Sequence, residues 1–366
     1  MIGIFNFRSS VLDFQNRKSK IKNHKYTCVL CLVYCVLCLA ICPVAKSDSS
    51  IRGAFATSGF ATGVGTRAMG MNGAFAAISD DSSSVYWNPA GLASSWYKEL
   101  SFTRADLYDL DLITNNALNM SAPETARGAM SISWTRLDYD FEAWEEDVFL
   151  LSYAKTLVGA IGSAGKGFSL SGGITFKYLR QTSDLDITPD MGTDVGEDGA
   201  FEPIFAEAKG LGLDLGLLAR IKAKDGRNRL SIGIAAQDIP TRVRWNSGEL
   251  ETEEYVPYRY KVGCSLEPLP RLTLAFDLVG EQNVKLKEIH FGMEHWIFPV
   301  KRVFPVSEKN LAIRGGVAKQ LSASERITFA AGLGIRWASW QLDYAYLMDS
   351  SGLGDTPNRF SVSVRF

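Results

Sequence analysis

Glu288, His290 and Glu294 come nearest in this chain to residues that could move a proton. Even spacing puts all three on one face of a strand, opposite Ile289, Phe291 and Met293. A histidine between carboxylates can act as a general acid or base. Covalent catalysis would also need an activated nucleophile, but the serines are scattered and no Gly-x-Ser-x-Gly turn is present. His290 and His295 are five apart, so on a strand they face opposite sides and cannot share a metal. The expectation is a hydrogen-bonded polar cluster facing an enclosed interior, with no enzyme, no cofactor and no metal.

Two glycine-rich stretches invite nucleotide chemistry and do not carry it. Gly63-Val64-Gly65-Thr66-Arg67-Ala68 has a degenerate dinucleotide spacing without the preceding strand that such a fingerprint needs. Gly162 to Gly167 has the wrong spacing for a phosphate loop, and Gly167 stands where a hydroxyl is required, so it reads as a hairpin turn. Acidic residues crowd residues 181–208 and 240–256, which read as outward-facing loops without calcium-loop spacing.

The elements that would position these residues are strands. The segment Arg359 to Phe366 puts Phe360, Val362, Val364 and Phe366 on one face, with Ser361, Ser363 and Arg365 on the other. Phe168 to Tyr178, Leu211 to Ile221, Leu230 to Ala236, Leu272 to Leu278, Ile289 to Met293, Ile327 to Trp337 and Trp340 to Met348 alternate likewise. Noisier runs lie at 98–108, 127–139 and 147–157. Many of the polar positions are Gly, Ser, Ala or Thr, as a crowded lumen requires, and aromatic residues gather near strand ends. The expected fold is all-β, a transmembrane antiparallel barrel. Residues 97–366 accommodate fourteen strands of ~10 membrane residues each, and twelve remain compatible.

The N-terminal part supports export. Residues 1–25 are basic, Cys28 to Cys42 is an uninterrupted run of fifteen apolar residues, and Ala45-Lys46-Ser47 offers a cleavage site. Fifteen residues fall short of the ~20 that span a bilayer, so residues 1–47 read as a signal peptide cut near Ser47. Leu39-Ala40-Ile41-Cys42 leaves lipoprotein processing at Cys42 as an alternative. Five of the six cysteines lie in this segment, so the product keeps only Cys264 and no intrachain disulfide. Cleavage removes seven basic residues and one acid, leaving 32 Lys+Arg against 39 Asp+Glu, a charge of −7. That balance argues against nucleic acid as a partner.

Residues 53–95 differ from everything that follows. Small residues are dense, and Ser82 to Ser84 can cap a helical turn containing Val85, Tyr86 and Trp87. Asn88 must then leave the helical region because Pro89 follows it. The block from Gly65 to Ala93, with Arg67-Ala68-Met69-Gly70-Met71, Gly73-Ala74-Phe75, Asp80-Asp81 and Asn88-Pro89-Ala90-Gly91-Leu92, resembles the N-terminal signature of the FadL-type outer-membrane transport superfamily. Closer still, it resembles spirochaetal FadL-like proteins and the PorV/PorQ-type barrels. Later agreement is looser, at Gln237-Asp238, Ile313 to Gly316, Leu342 to Tyr346 and the terminal strand.

The resemblance implies that residues 48–96 form a hatch inside a fourteen-stranded barrel formed by residues 97–366. Arg67, Gly70, Gly73, Asp80, Asp81, Asn88, Pro89, Ala90 and Gly91 would hold its conformation. Met69, Met71, Phe75 and Trp87 are the candidate apolar path, and Glu288, His290 and Glu294 the polar cluster of the lumen. The implied function is a passive outer-membrane channel for hydrophobic small molecules, long-chain fatty acids in particular. Its partners would be outer-membrane lipid, the ligand, and the outer-membrane insertion machinery, through the strand ending at Phe366. The alternative is a PorV-like accessory barrel that binds secreted proteins or translocon partners.

Overall fold

A computed structural model describes residues 63–107, 113–139, 144–159, 167–185, 204–222, 228–246, 251–282, 284–297, 311–321, 326–349 and 358–366. The sequence expectations for the signal segment, the first part of the hatch and the turn at 160–166 lie outside the described residues.

Among the described residues, sixteen strands follow two short helices. The helices are α1 (Thr66–Met69) and α2 (Ser84–Trp87), and a 3-10 turn (Pro89–Ser94) leads into the sheet. The first eight strands are β1 (Glu99–Asp106), β2 (Ile113–Thr125), β3 (Gly128–Tyr139), β4 (Trp144–Val158), β5 (Phe168–Leu185), β6 (Ile204–Lys222), β7 (Asn228–Gln237) and β8 (Thr241–Asn246). The remainder are β9 (Glu251–Val256), β10 (Arg259–Leu269), β11 (Leu272–Glu281), β12 (Val284–Ile297), β13 (Leu311–Gln320), β14 (Ile327–Trp337), β15 (Trp340–Asp349) and β16 (Asn358–Arg365).

Fourteen of these strands close a ring. β1 pairs antiparallel with both β2 and β16, β10 pairs with β7, and β5 pairs with β6 along its length. The remaining two strands, β8 and β9, form a hairpin added to the ring. Glu207 to Leu211 of β6 pair with β8, whereas Leu215 to Lys222 pair with β7, so one edge of β6 serves two neighbours in turn.

Burial is inverted relative to a water-soluble sheet. Outward residues such as Ile132 (65% exposed) and Phe176 (56%) are apolar, while inward neighbours such as Ser133 (1%) and Thr175 (0%) are polar. Leaving a large apolar side chain in water forgoes roughly 1.5–3 kcal/mol each. A continuous outer belt of them suits hydrocarbon as the surrounding solvent.

The expected strands are all present, with three differences. β2 is a strand whose inward positions, Asn115, Ala117, Asn119 and Ser121, weaken the alternation visible in sequence. The acidic stretch 240–256 is not a plain loop. Thr241 and Val243 turn inward and are buried, while Arg242 and Arg244 turn outward, making hairpin β8–β9. The stretch 181–208 is likewise shorter as a connection, because β5 continues to Leu185 and β6 starts at Ile204. In both cases charge marked a part of the sheet beyond the apolar belt, where lipid no longer selects apolar outward residues.

Candidate functional site: the lumen plug and its cavity

Residues 63–95 bond to strands on all sides of the ring. Asn88 donates through Nδ2 to the Leu217 carbonyl of β6 (3.0 Å) and to the Ala76 carbonyl (2.9 Å), while its Oδ1 accepts from the Ala90 N–H (3.2 Å). Its backbone is extended (φ −163, ψ 104), as the following proline requires. Asn72 donates to the Thr328 carbonyl of β14 (2.7 Å), and Arg359 of β16 donates to the Gly63 carbonyl (2.7 Å). Ser82 Oγ reaches Ser101 Oγ of β1 (2.8 Å). Asp81, rather than a serine, organises the start of α2. Its Oδ1 accepts from the Ser83 N–H (3.0 Å) and hydroxyl (2.6 Å).

Arg67 is the electrostatic centre. Its Nε and Nη2 donate to the two oxygens of Glu294 on β12 (2.8 Å each), a bidentate fork, and its Nη1 reaches Asp80 and Asp81 (3.0 Å to Asp81). Arg314 of β13 donates to Glu294 (2.8 Å) and to Asp343 of β15 (2.7 Å). Burial opposes the Arg67 charge, yet Asp80 and Glu294 outweigh it and raise the guanidinium well above its usual value. Burial likewise pushes the Asp80 carboxyl upward, and Arg67 with Arg220 reverses this, leaving it below the ordinary carboxylate range.

The three residues of the expected polar cluster all face the lumen but separate into two groups. His290 donates from Nδ1 to the Asn72 carbonyl (2.6 Å), and its Nε2 lies 3.1 Å from a Glu288 carboxylate oxygen. Glu294 belongs to the arginine network instead. His295 faces outward.

Glycines seat the plug. A Cβ at Gly173 would lie 2.3 Å from the Ala90 nitrogen, at Gly216 2.2 Å from Asn88 Oδ1, and at Gly233 2.1 Å from the Ala76 carbonyl oxygen. At Gly316 it would lie 2.4 Å from the Met71 carbonyl carbon, and at Gly292 2.7 Å from the Met71 oxygen. Within the plug, Gly91 packs on Ser79 (2.0 Å from a Cβ to its oxygen), Gly70 meets Gly332 of β14, and Gly73 takes φ +76 beneath the Trp87 ring. Gly173 pairs with Gly216, Gly233 with Gly263, and Gly292 with Gly316, so the glycines are aligned across neighbouring strands.

A cavity of about 380 Å³ lies between the plug and the wall at the end away from Glu99 and Arg365. Val64, Met69, Tyr86 and Trp87 of the plug line it, with Arg259 and Lys261 of β10, Glu288 and His290 of β12, and Leu347 of β15. Its volume is within the range of small-molecule sites. Lys261 sits 4.4 Å from the centre of the Trp87 ring. Lys177 is held by Asp214 (2.8 Å) and Asp238 (2.7 Å). Of the four candidate path residues, Met69 and Trp87 border this cavity, whereas Met71 and Phe75 are fully buried in the core.

Sequence reading passed over Asp277 of β11, whose Oδ2 accepts from the Phe75 N–H (2.9 Å) and the Ala76 N–H (2.8 Å). Its signal was an acid at the polar phase of the apolar run Leu272 to Leu278. The wall glycines were visible in the same phase and were read only as small lumen residues.

Among solved structures, the chain is similar to a Pseudomonas aeruginosa FadL homologue at 14% identity, covering 82% of this chain and 97% of that one, TM-score 0.51. The monoaromatic hydrocarbon channel CymD matches at 14% identity, 83% and 98% coverage, TM-score 0.54. The chain has the fold of these barrels. The Pseudomonas putida toluene transporter TodX is similar at 10% identity, 83% and 98% coverage, TM-score 0.50. No protein-family model and no curated protein matches this chain.

Proposed function

We propose that this chain is an outer-membrane channel for passive uptake of hydrophobic molecules, with residues 48–96 as its hatch and residues 1–47 as the signal that exports it. The observation carrying this reading is the cavity, enclosed in an inverted barrel and bordered on one side by Met69 and Trp87 of the plug. The monoaromatic hydrocarbon channel and the toluene transporter that share this fold support it.

Long-chain fatty acids fit the cavity better than neutral aromatics. Val64, Met69, Trp87 and Leu347 offer apolar contact, and Arg259 and Lys261 place positive charge beside it. A carboxylate head uses that charge, and a neutral hydrocarbon leaves it unmatched. Drawing Lys261 toward a carboxylate would take it off the Trp87 ring and loosen one hold on the plug. Liposomes containing the purified protein should therefore take up oleate, and the Arg259→Gln/Lys261→Gln variant should lose at least tenfold in rate while toluene uptake stays unchanged. Equal loss for both ligands would reject the carboxylate assignment. No uptake, with copurification of a large complex, would favour the accessory-barrel function.

A further inference from the structure

The cavity leaves unexplained a charged ridge on the outside of the barrel. β5 and β6 are the longest strands, at 18 and 19 residues, and with β8 and β9 they extend the wall. Register pairs Arg180 with Lys209, Lys209 with Arg244, and Arg244 with Glu253, giving one outward row. The row beneath it runs Tyr178, Leu211, Arg242, Tyr255 by the same pairings. Next below on β5 is Phe176, 56% exposed and part of the apolar belt.

The ridge is at the rim opposite the start of β1 and the end of β16, Glu99 and Arg365. The longest interval between paired strands there is 186–203, and long connections mark the outer side of such barrels. Three cations thus stand above a row of Tyr178, Leu211 and Tyr255 that holds the fourth, Arg242, where the outer leaflet changes from acyl chains to headgroups. Arg180, Lys209 and Arg244 occupy three neighbouring strands, so their backbones span about 10 Å. Their side chains are 48%, 54% and 79% exposed. Glu207 bonds Arg180 (3.0 Å) and Lys209 (2.7 Å), and Glu253 bonds Arg244 (2.8 Å). Arg242 lies over the Tyr255 ring at 5.3 Å. Exposed ion pairs of this kind contribute little and exchange readily for a stronger acceptor.

We propose that Arg180, Lys209, Arg242 and Arg244 bind the phosphate of a phosphorylated outer-leaflet lipid whose acyl chains lie along Tyr178, Leu211 and Phe176. This rests on the outer-membrane reading of the barrel and is independent of what the cavity carries. The occupant is a lipid rather than free phosphate because the cations adjoin an apolar surface that only acyl chains would cover.

Native mass spectrometry of the full chain released from detergent, loaded with lipid A or its dephosphorylated form, tests the assignment. The phosphorylated lipid should remain bound at least tenfold better. Arg180→Gln/Lys209→Gln/Arg242→Gln/Arg244→Gln should remove that preference while circular dichroism shows an intact barrel. Equal retention of the two lipids by the unaltered protein would overturn the proposal. So would an unchanged preference in the variant, or complete displacement by inorganic phosphate at the lipid's own concentration. Lipid binding without oleate uptake would reject the channel function and leave the ridge assignment standing.

Discussion

The wall meets the plug in two different ways. On β5, β6, β7, β12, β13 and β14, glycine at the inward phase lets plug backbone lie directly on wall backbone, as Ala76 does on Gly233 and Met71 on Gly316. From β1 to β4 the inward phase has side chains instead of glycine, among them the buried hydroxyls and amide of Ser101, Asn119, Ser133 and Ser152. There the plug is reached through side chains, as in the Ser82 to Ser101 bond. The first sector excludes any added atom. The second tolerates change because a hydroxyl can rotate to another acceptor. Position, not composition alone, therefore decides which wall holds the plug in place.

The largest effect is expected at Arg67. Arg67→Ala leaves Glu294, 2% exposed, without its bidentate partner and should destabilise the barrel by about 3–5 kcal/mol in urea titrations followed by tryptophan fluorescence. A loss below ~1 kcal/mol would show that the charged anchor is incidental to the glycine seat. Gly233→Ala comes next, because its Cβ would enter the Ala76 carbonyl, and overpacking of this kind costs about 1–3 kcal/mol. The same measurement on Ser133→Ala should move by less than ~1 kcal/mol, since the Ser133 hydroxyl has no partner to lose. Equal costs for the two alanine variants would erase the distinction between the sectors.

The pH dependence from Asp80 is the smallest effect, because this carboxylate is 40% exposed. Its folded pKa lies below the unfolded value, so its contribution is present above the unfolded carboxylate pKa and fades as pH falls through the folded one. Asp80→Asn should flatten that acidic limb and leave neutral-pH stability within about 1 kcal/mol. An unchanged limb would assign the dependence to other carboxylates.

Much of this fold was legible because lipid enforces a strict period of two. Phe168 to Tyr178 and Trp340 to Met348 show it plainly, whereas length and spacing admitted twelve or fourteen strands and only the pairing of the ring decides for fourteen. The period fails where lipid no longer acts. Hairpin β8–β9 turns Arg242 and Arg244 outward on one strand and Glu251 and Glu253 on the other, so its charge hid its strands, and β2 was obscured by Asn115 and Asn119. At the site, Arg67, Asn88 and the plug glycines were visible as a block. Their counterparts were not, since Glu294, Asp277 and Gly233 are up to 227 positions away from the plug residues they meet, and only the closed ring brings them there.

Glycine alignment has a consequence for how the cylinder forms. Gly233 stands between Ile232 and Ile234, Gly292 between Phe291 and Met293, and Gly216 between Leu215 and Leu217. A strand shifted by one residue would turn one of these bulky neighbours inward, onto Ala76, Met71 or Asn88. The plug thus works as a gauge that accepts each of these staves at a single height.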